Sequence, residues 1–118
     1  MANLIACLSE GKGTWEHVKR VVEGQEWDSV YLVTNEFGRD NFKSSKKVEF
    51  VLVDGNKFLP ELIEEIRSKL NGKIADTEVA LNLISGTGKE HMAVMSAVLK
   101  LGFGVRLVAL TKTGVREV

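Results

Sequence analysis

A single cysteine and a single proline are all that this chain of 118 residues carries of either type. One cysteine excludes an intrachain disulfide framework and any metal site built from several thiolates. Cys7 sits in the apolar segment NLIACL (3–8) and reads as a small buried core residue. Charge of one sign is also lacking. Sixteen Lys and Arg balance sixteen Asp and Glu, so the formal net charge is zero. Bulk charge therefore does not make the chain a polyanion binder, and direct duplex nucleic-acid binding is not expected. No apolar run approaches the ~20 residues needed to span a bilayer. The opening MANLIACLSEGKG carries no basic leader, so the chain reads as cytoplasmic and free of membrane contact. Without repeats, low-complexity tracts or a linker, residues 1–118 read as one domain.

What is present alternates. Short apolar or β-branched runs at 3–8, 29–34, 47–53, 78–84 and 104–111 have the length and composition of strands. Between them, 14–24, 57–72 and 89–102 repeat apolar residues at helical spacing. Trp15, Val18, Val21 and Val22 share one face of the first. Leu59, Leu62, Ile63, Ile66 and Leu70 share one face of the second, where Pro60 fits the first turn. Met92, Val94, Met95, Val98 and Leu99 form the apolar set of the third. Trp15, Met92 and Met95 are thus expected to pack in the core. The polar stretch NEFGRDNFKSSK (35–46) reads as a long loop, or as a short helix leading to the third strand. A third strand running antiparallel would remove the need for a crossover helix. KTGVREV reads as a polar end.

This order predicts an α/β, Rossmann-like three-layer sandwich with a mainly parallel five-stranded sheet, strand order 3-2-1-4-5. Strands 1, 4 and 5 are the most continuously apolar and are expected to be covered on both sides. In such sheets ligands sit beyond the carboxyl ends of the strands, where the strand order reverses. Here that point falls between strands 1 and 4. The loops that follow them, SEGKG (9–13) and SGTGK (85–89), are the most glycine-rich turns of the chain.

SGTGK is not a Walker A loop. Aligning its Gly-Lys pair on Gly88-Lys89 puts Leu83 at the first glycine and Glu90 at the Mg²⁺-binding hydroxyl. The dinucleotide pattern fails as well, because His91 stands at its third glycine. The physics shared by both motifs remains. Gly86 and Gly88 let a ligand approach the backbone, and a helix N-terminus presents free amides. Ser85 and Thr87 offer hydroxyls, and Lys89 offers a positive charge. A capped tight turn with a solvated lysine explains the same residues, and both readings stay open. The expected carboxyl-edge loops also hold Lys12, Arg39, Lys43, Lys46, Lys57, Lys112 and Arg116 against Glu10, Glu36, Asp40 and Asp54. That predicts a locally basic rim suited to phosphate. His17 and His91 stand alone in their helices and read as surface or boundary residues, so no metal is expected. Phe37 and Phe42, in the 35–46 loop, are the aromatics expected to be free for stacking.

The segment NLISGTGKEHMAVMSAVLKLGFGVRLVAL, together with SVYLVTNE at the second strand, resembles the CARF (CRISPR-associated Rossmann fold) family. Its members carry a segment like N-L-T-G-G-T-K-x-M-A after the fourth strand. Asn82, Gly86, Thr87, Lys89, Met92 and Ala93 take those places here. Gly88 is inserted before the lysine, and Ser85 replaces the usual threonine-glycine pair. The resemblance implies a homodimer whose sheet edges form one pocket for a cyclic oligoadenylate, a second messenger of type III CRISPR defence. It also implies, for some members, metal-independent ring-nuclease cleavage, with Ser9 and Lys89 as the catalytic pair. No cofactor is implied. Gly11, Lys12, Asn35, Phe37, Ser85, Gly86, Thr87 and Gly88 would line the ligand. Two other readings remain: a non-catalytic regulatory or dimerisation module, and a flavodoxin-like nucleotide-binding protein.

Overall fold

The computed structural model describes residues 2–9 and 11–118. Six strands form one sheet: β1 (Asn3–Cys7), β2 (Ser29–Thr34), β3 (Glu49–Leu52), β4 (Glu78–Asn82), β5 (Gly104–Thr111) and β6 (Gly114–Glu117). Four α-helices connect them: α1 (Trp15–Glu23), α2 (Glu36–Asn41), α3 (Leu59–Leu70) and α4 (Gly88–Lys100). A 3₁₀ turn over Lys12–Thr14 leads into α1. The spatial order is β3-β2-β1-β4-β5-β6, with the first five strands parallel and β6 antiparallel to β5. The expected order 3-2-1-4-5 is therefore present, extended by one strand. Among the described residues no helix is long and apolar enough to cross a membrane.

Strand alternation separates two cores. In β1, Leu4 and Ala6 point to the side of α1, where they join Val18, Val21, Val22, Val30 and Leu32. Ile5 and Cys7 point the other way, to Leu62, Ile66 and Leu70 of α3 and Ala93, Val94, Ala97 and Val98 of α4. Each fully buried aliphatic side chain contributes about 1.5–3 kcal/mol. Both faces of β1 are covered, so neither register nor neighbour can change without exposing one of the two clusters.

Three expectations change. KTGVREV is not a polar end: Thr111–Gly114 makes a tight turn and β6 pairs back on β5, with Val115 buried against the α1 side. A strand of four residues carrying arginine and glutamate has too little apolar periodicity to be read alone. Second, β5 is not covered on both sides. Leu107 is 41% exposed, and no helix among the described residues covers it. Third, Met92 lies outside the core at 60% exposure, as does Leu99 at 57%. The apolar set of α4 is wider than the stripe that α3 and the sheet can cover.

The open choice over 35–46 resolves into α2 and a parallel β3. Asn35 caps α2, its Oδ1 accepting from the Gly38 N–H at 3.0 Å. Gly38 is buried against Thr34, and a Cβ there would lie 2.9 Å from Thr34 Cβ and closer still to its hydroxyl. Thr34 cannot yield, since it is buried and its Oγ1 donates to Leu8 O at 3.1 Å. Gly38→Ala is expected to lower stability by about 1–3 kcal/mol, measured as a fall in the urea midpoint with an unchanged slope.

Candidate functional site

The turns that follow β1 and β4 meet. The Ser9 N–H donates to Ser85 Oγ at 2.9 Å, and Ser85 Oγ donates to Ser9 Oγ at 3.1 Å. Ser9 Oγ in turn donates to Gly11 O at 2.7 Å. Trp15 Nε1 donates to Ser9 O at 2.9 Å, which ties the same turn to the start of α1. Ser85 is buried and its hydroxyl is taken up inside the protein. It bridges the crevice between β1 and β4 instead of facing it.

The open space lies to one side of that bridge. A cleft of about 540 Å³ spans the carboxyl ends of β1, β2 and β3. Leu8, Ser9 and Gly11 line it from β1, Thr34 and Asn35 from β2, Val53, Asp54, Gly55 and Asn56 from β3, and Thr87 and Glu90 from α4. Its volume is that of a small-molecule site. Of the residues singled out in the sequence, Ser9, Gly11, Asn35 and Thr87 line it. Lys89 touches its wall, Nζ donating to Gly55 O at 3.0 Å. Gly86 belongs to the turn before Thr87, and Gly88 opens α4. Of the VDGN segment (53–56), the sequence pointed to Asp54 only as a rim acid and not to Gly55 or Asn56 as cleft residues. An Asp-Gly-Asn turn directly after a strand at the carboxyl edge was the signal for it.

Backbone chemistry explains the 85–90 turn. Gly86 has φ +109°, and a Cβ there would meet Glu90 Oε1 at 3.0 Å and His91 Nε2 at 3.2 Å. Thr87 caps α4 by a reciprocal pair of hydrogen bonds. Its Oγ1 accepts from the Glu90 N–H at 3.1 Å, and Glu90 Oε1 accepts from the Thr87 N–H at 2.7 Å. The His91 ring adds a bond from Nε2 to Ser85 O at 2.8 Å. The sequence pattern T-x-x-E is thus a capping box, and its carboxylate already occupies part of the helix mouth. Cys7 lies behind this turn, where burial and then the Glu90 charge push its thiol up to about 12.

The basic rim expected from the loops is dispersed. Lys46 pairs with Glu26 at 2.6 Å at the opposite, amino edge, beside a smaller cleft of about 280 Å³. Ser44 and Ser45 are drawn there too, both bonding Glu23 Oε2. Arg39 pairs with Asp40 at 3.0 Å. Lys57 and Lys69 share Glu65, each at 3.4 Å. Burial alone would raise the Glu65 carboxyl, but the Asp54 N–H and the two lysines outweigh it and hold it below the usual range. Lys112 and Arg116 belong to the β5–β6 hairpin, across β4 from the cleft. Glu10 lies outside the described residues. What lines the cleft is polar and acidic, with Asp54 and Glu90 but no lysine or arginine. Cationic character comes from Lys12 and Lys89 at its margins, neither in an ion pair among the described residues.

The two loop phenylalanines part company. Phe42 is buried, edge-on to Trp15 at 5.9 Å, and is not free for stacking. Phe37 is 44% exposed and tilted against Trp15 at 6.0 Å. Lys12 Nζ lies 5.7 Å from the Phe37 centroid and 5.8 Å from that of Trp15. An aromatic pair and a cation thus join the β1 and β2 loops. No cluster of three His, Cys, Asp or Glu side chains is placed to hold a metal among the described residues.

Two outcomes follow. Ser85→Ala leaves the Ser9 N–H without its acceptor and is expected to cost about 1–3 kcal/mol, measured by chemical denaturation. A thiol reagent at about pH 8 should modify Cys7 only as fast as the protein opens, and at once in strong denaturant.

This chain matches no protein-family model, and no curated protein matches it. Its placement rests on topology: a Rossmann-like α/β fold whose parallel strands follow the order 3-2-1-4-5.

Proposed function

We propose that this protein binds a cyclic oligonucleotide of the cyclic oligoadenylate kind at the carboxyl edge of its sheet, as one half of a homodimer. The observation that carries this reading is the meeting of the 9–13 and 85–89 turns through Ser9 and Ser85 at the reversal of strand order, beside a cleft over the carboxyl ends of β1, β2 and β3. The segment around that meeting is the one that resembles CARF domains.

The chemistry of the cleft suits the parts of a nucleotide unequally. Its interior offers the carboxylates of Asp54 and Glu90 and the amide of Asn56. These accept from ribose hydroxyls or an exocyclic amine and disfavour phosphate. Phosphate is served at the margins, by Lys12, Lys89, the backbone of Gly11 and the amides of Gly88 and Lys89 that open α4. Phe37 offers a half-exposed ring for a base. For the dimer, the support is the outer face of α4, where Met92, Leu99 and neighbouring Ile84 leave apolar surface open.

Ring cleavage is a second reading, favoured by the Ser9 hydroxyl at the cleft wall. In that reaction a ribose 2′-OH attacks its adjacent phosphorus, the P–O5′ bond breaks, and a 2′,3′-cyclic phosphate and a 5′-hydroxyl result. The protein would orient the phosphate through Ser9 and offset phosphorane charge through Lys89. Both groups are engaged elsewhere before ligand arrives, Ser9 Oγ with Gly11 O and Lys89 Nζ with Gly55 O. Binding therefore stands first.

Calorimetry with cyclic tetra- and hexa-adenylate, followed by chromatography of the mixture, tests both readings. Binding of at least one ring is expected. Lys12→Ala and Lys89→Ala should each weaken it about tenfold, or ~1.4 kcal/mol. No binding and no cleavage of either ring would remove the proposal, and parental affinity in Lys89→Ala would remove that residue from the site.

A further inference from the structure

We propose that His17 is a proton-sensitive clasp, which in its neutral form fastens the β4–α4 turn and the end of β5 to α1. His17 is half-buried on α1, and its ring reaches the carboxyl ends of β4 and β5.

The state of the ring follows from its partners. Nε2 accepts from the Leu110 backbone N–H at 3.3 Å. Asn82 Nδ2 lies 3.4 Å from the same nitrogen. The Asn82 amide is oriented by two other bonds, Nδ2 donating to Val108 O at 2.8 Å and Oδ1 accepting from the Ile84 N–H at 3.4 Å. So Nδ2, not Oδ1, faces the histidine. Two donors converge on Nε2, which must present its lone pair, and the proton of the neutral ring sits on Nδ1. A second proton would put an N–H on Nε2 against both donors. The ring would have to turn away, leaving Leu110 N–H unpaired and weakening the hold on Asn82, which is buried. Asn82 in turn bonds Ile84, the first step of the turn that carries Ser85 to Ser9.

Among the described residues no nearby charge compensates a protonated ring. The charged groups described on the elements packed about it are Lys12 on the 3₁₀ turn, Glu16, Lys19, Arg20 and Glu23 on α1, Glu78 on β4, Arg106 on β5, Lys112 in the β5–β6 turn, and Arg116 and Glu117 on β6. Glu16 and Arg20 pair with each other, Glu23 is taken up by Ser44 and Ser45, and Arg106 is held by Glu78 and Glu117. Burial is the cause that lowers the His17 pKa below its ordinary value. The folded chain therefore takes up this proton less readily than the unfolded chain. The stabilisation is complete above the ordinary value of about 6.5 and is lost as pH falls from there toward the folded value.

The chain has two histidines, which gives an internal control. His91 donates from Nε2 to Ser85 O, a role that a second proton leaves intact. Imidazole ¹⁵N spectra of the parent protein should show His17 as the Nδ1–H tautomer and His91 as the Nε2–H tautomer. His17 should titrate below about 6.5, and the amide signals of Ile84, Ser85 and Leu110 should move with the same midpoint. Thermal melts from about pH 7.5 to 5.5 should fall in the parent and in H91Q. In H17Q, whose side-chain carbonyl can accept the same bonds without titrating, they should stay flat. A His17 that titrates at or above 6.5, amides of Ile84 and Leu110 that ignore its titration, or a parental slope in H17Q would each overturn the proposal. Should H17Q fail to fold, the titration of the parent decides alone.

Discussion

The pairing of β1 with β4 is the constraint on which the rest of the molecule depends. Leu4, Ile5 and Ala6 lie beside Ala80, Leu81 and Asn82 in parallel register. From this seam the chain departs in opposite directions. The β1 crossover leads through α1 to β2 and the β3 edge, and the β4 crossover leads through α4 to β5 and the β6 edge. Because the two crossovers are right-handed and run oppositely, their helices lie on opposite faces. Each face of the seam then carries its own hydrophobic cluster. The same divergence leaves the two following turns face to face, where Ser9 and Ser85 close the gap.

That closure gives the candidate site its character. In a sheet of this kind the gap at the seam is the expected place for a ligand. Here Ser85 fills it, Gly86 allows the backbone to fold tightly behind it, and Glu90 closes the helix mouth. The opening moves toward β2 and β3, over Thr34, Asn35 and the Asp54–Asn56 turn. At the mouth of α4 a carboxylate is already bonded to Thr87, and the cations beside the cleft are Lys12 and Lys89. Several residues of the 85–90 turn thus hold the fold together at the same time as they shape the cleft beside it.

The polar contacts behind the site show how tightly it is tied to its scaffold. Asn82 and His17 connect β4, β5 and α1, Thr34 connects β2 to β1, and Trp15 connects α1 to the Ser9 turn. Each of these side chains sits at a strand end or a helix start, where backbone groups would otherwise be unpaired. No buried side-chain nitrogen or oxygen among the described residues lacks a partner. Little of this network was visible in the sequence. Asn82 stood out only by resemblance, and His17 read as a boundary residue, because a hydrogen bond between positions 65 apart leaves no periodic trace.

Strand and helix order, the helical faces of α1 and α3 and the sheet order 3-2-1-4-5 came from the sequence itself, because they rest on local spacing. A period of two or of 3.6 is written within a few consecutive residues, and crossover handedness converts their order into topology. Tertiary structure alone decided which charges meet: Lys46 and Lys57 read as rim cations until Glu26 and Glu65 were seen to hold them. It also separated Phe42, packed on Trp15, from the open Phe37, left Met92 outside the core, and turned an arginine-bearing end into β6. These outcomes depend on which surfaces come together across the fold, a property of distances between elements that no single segment contains.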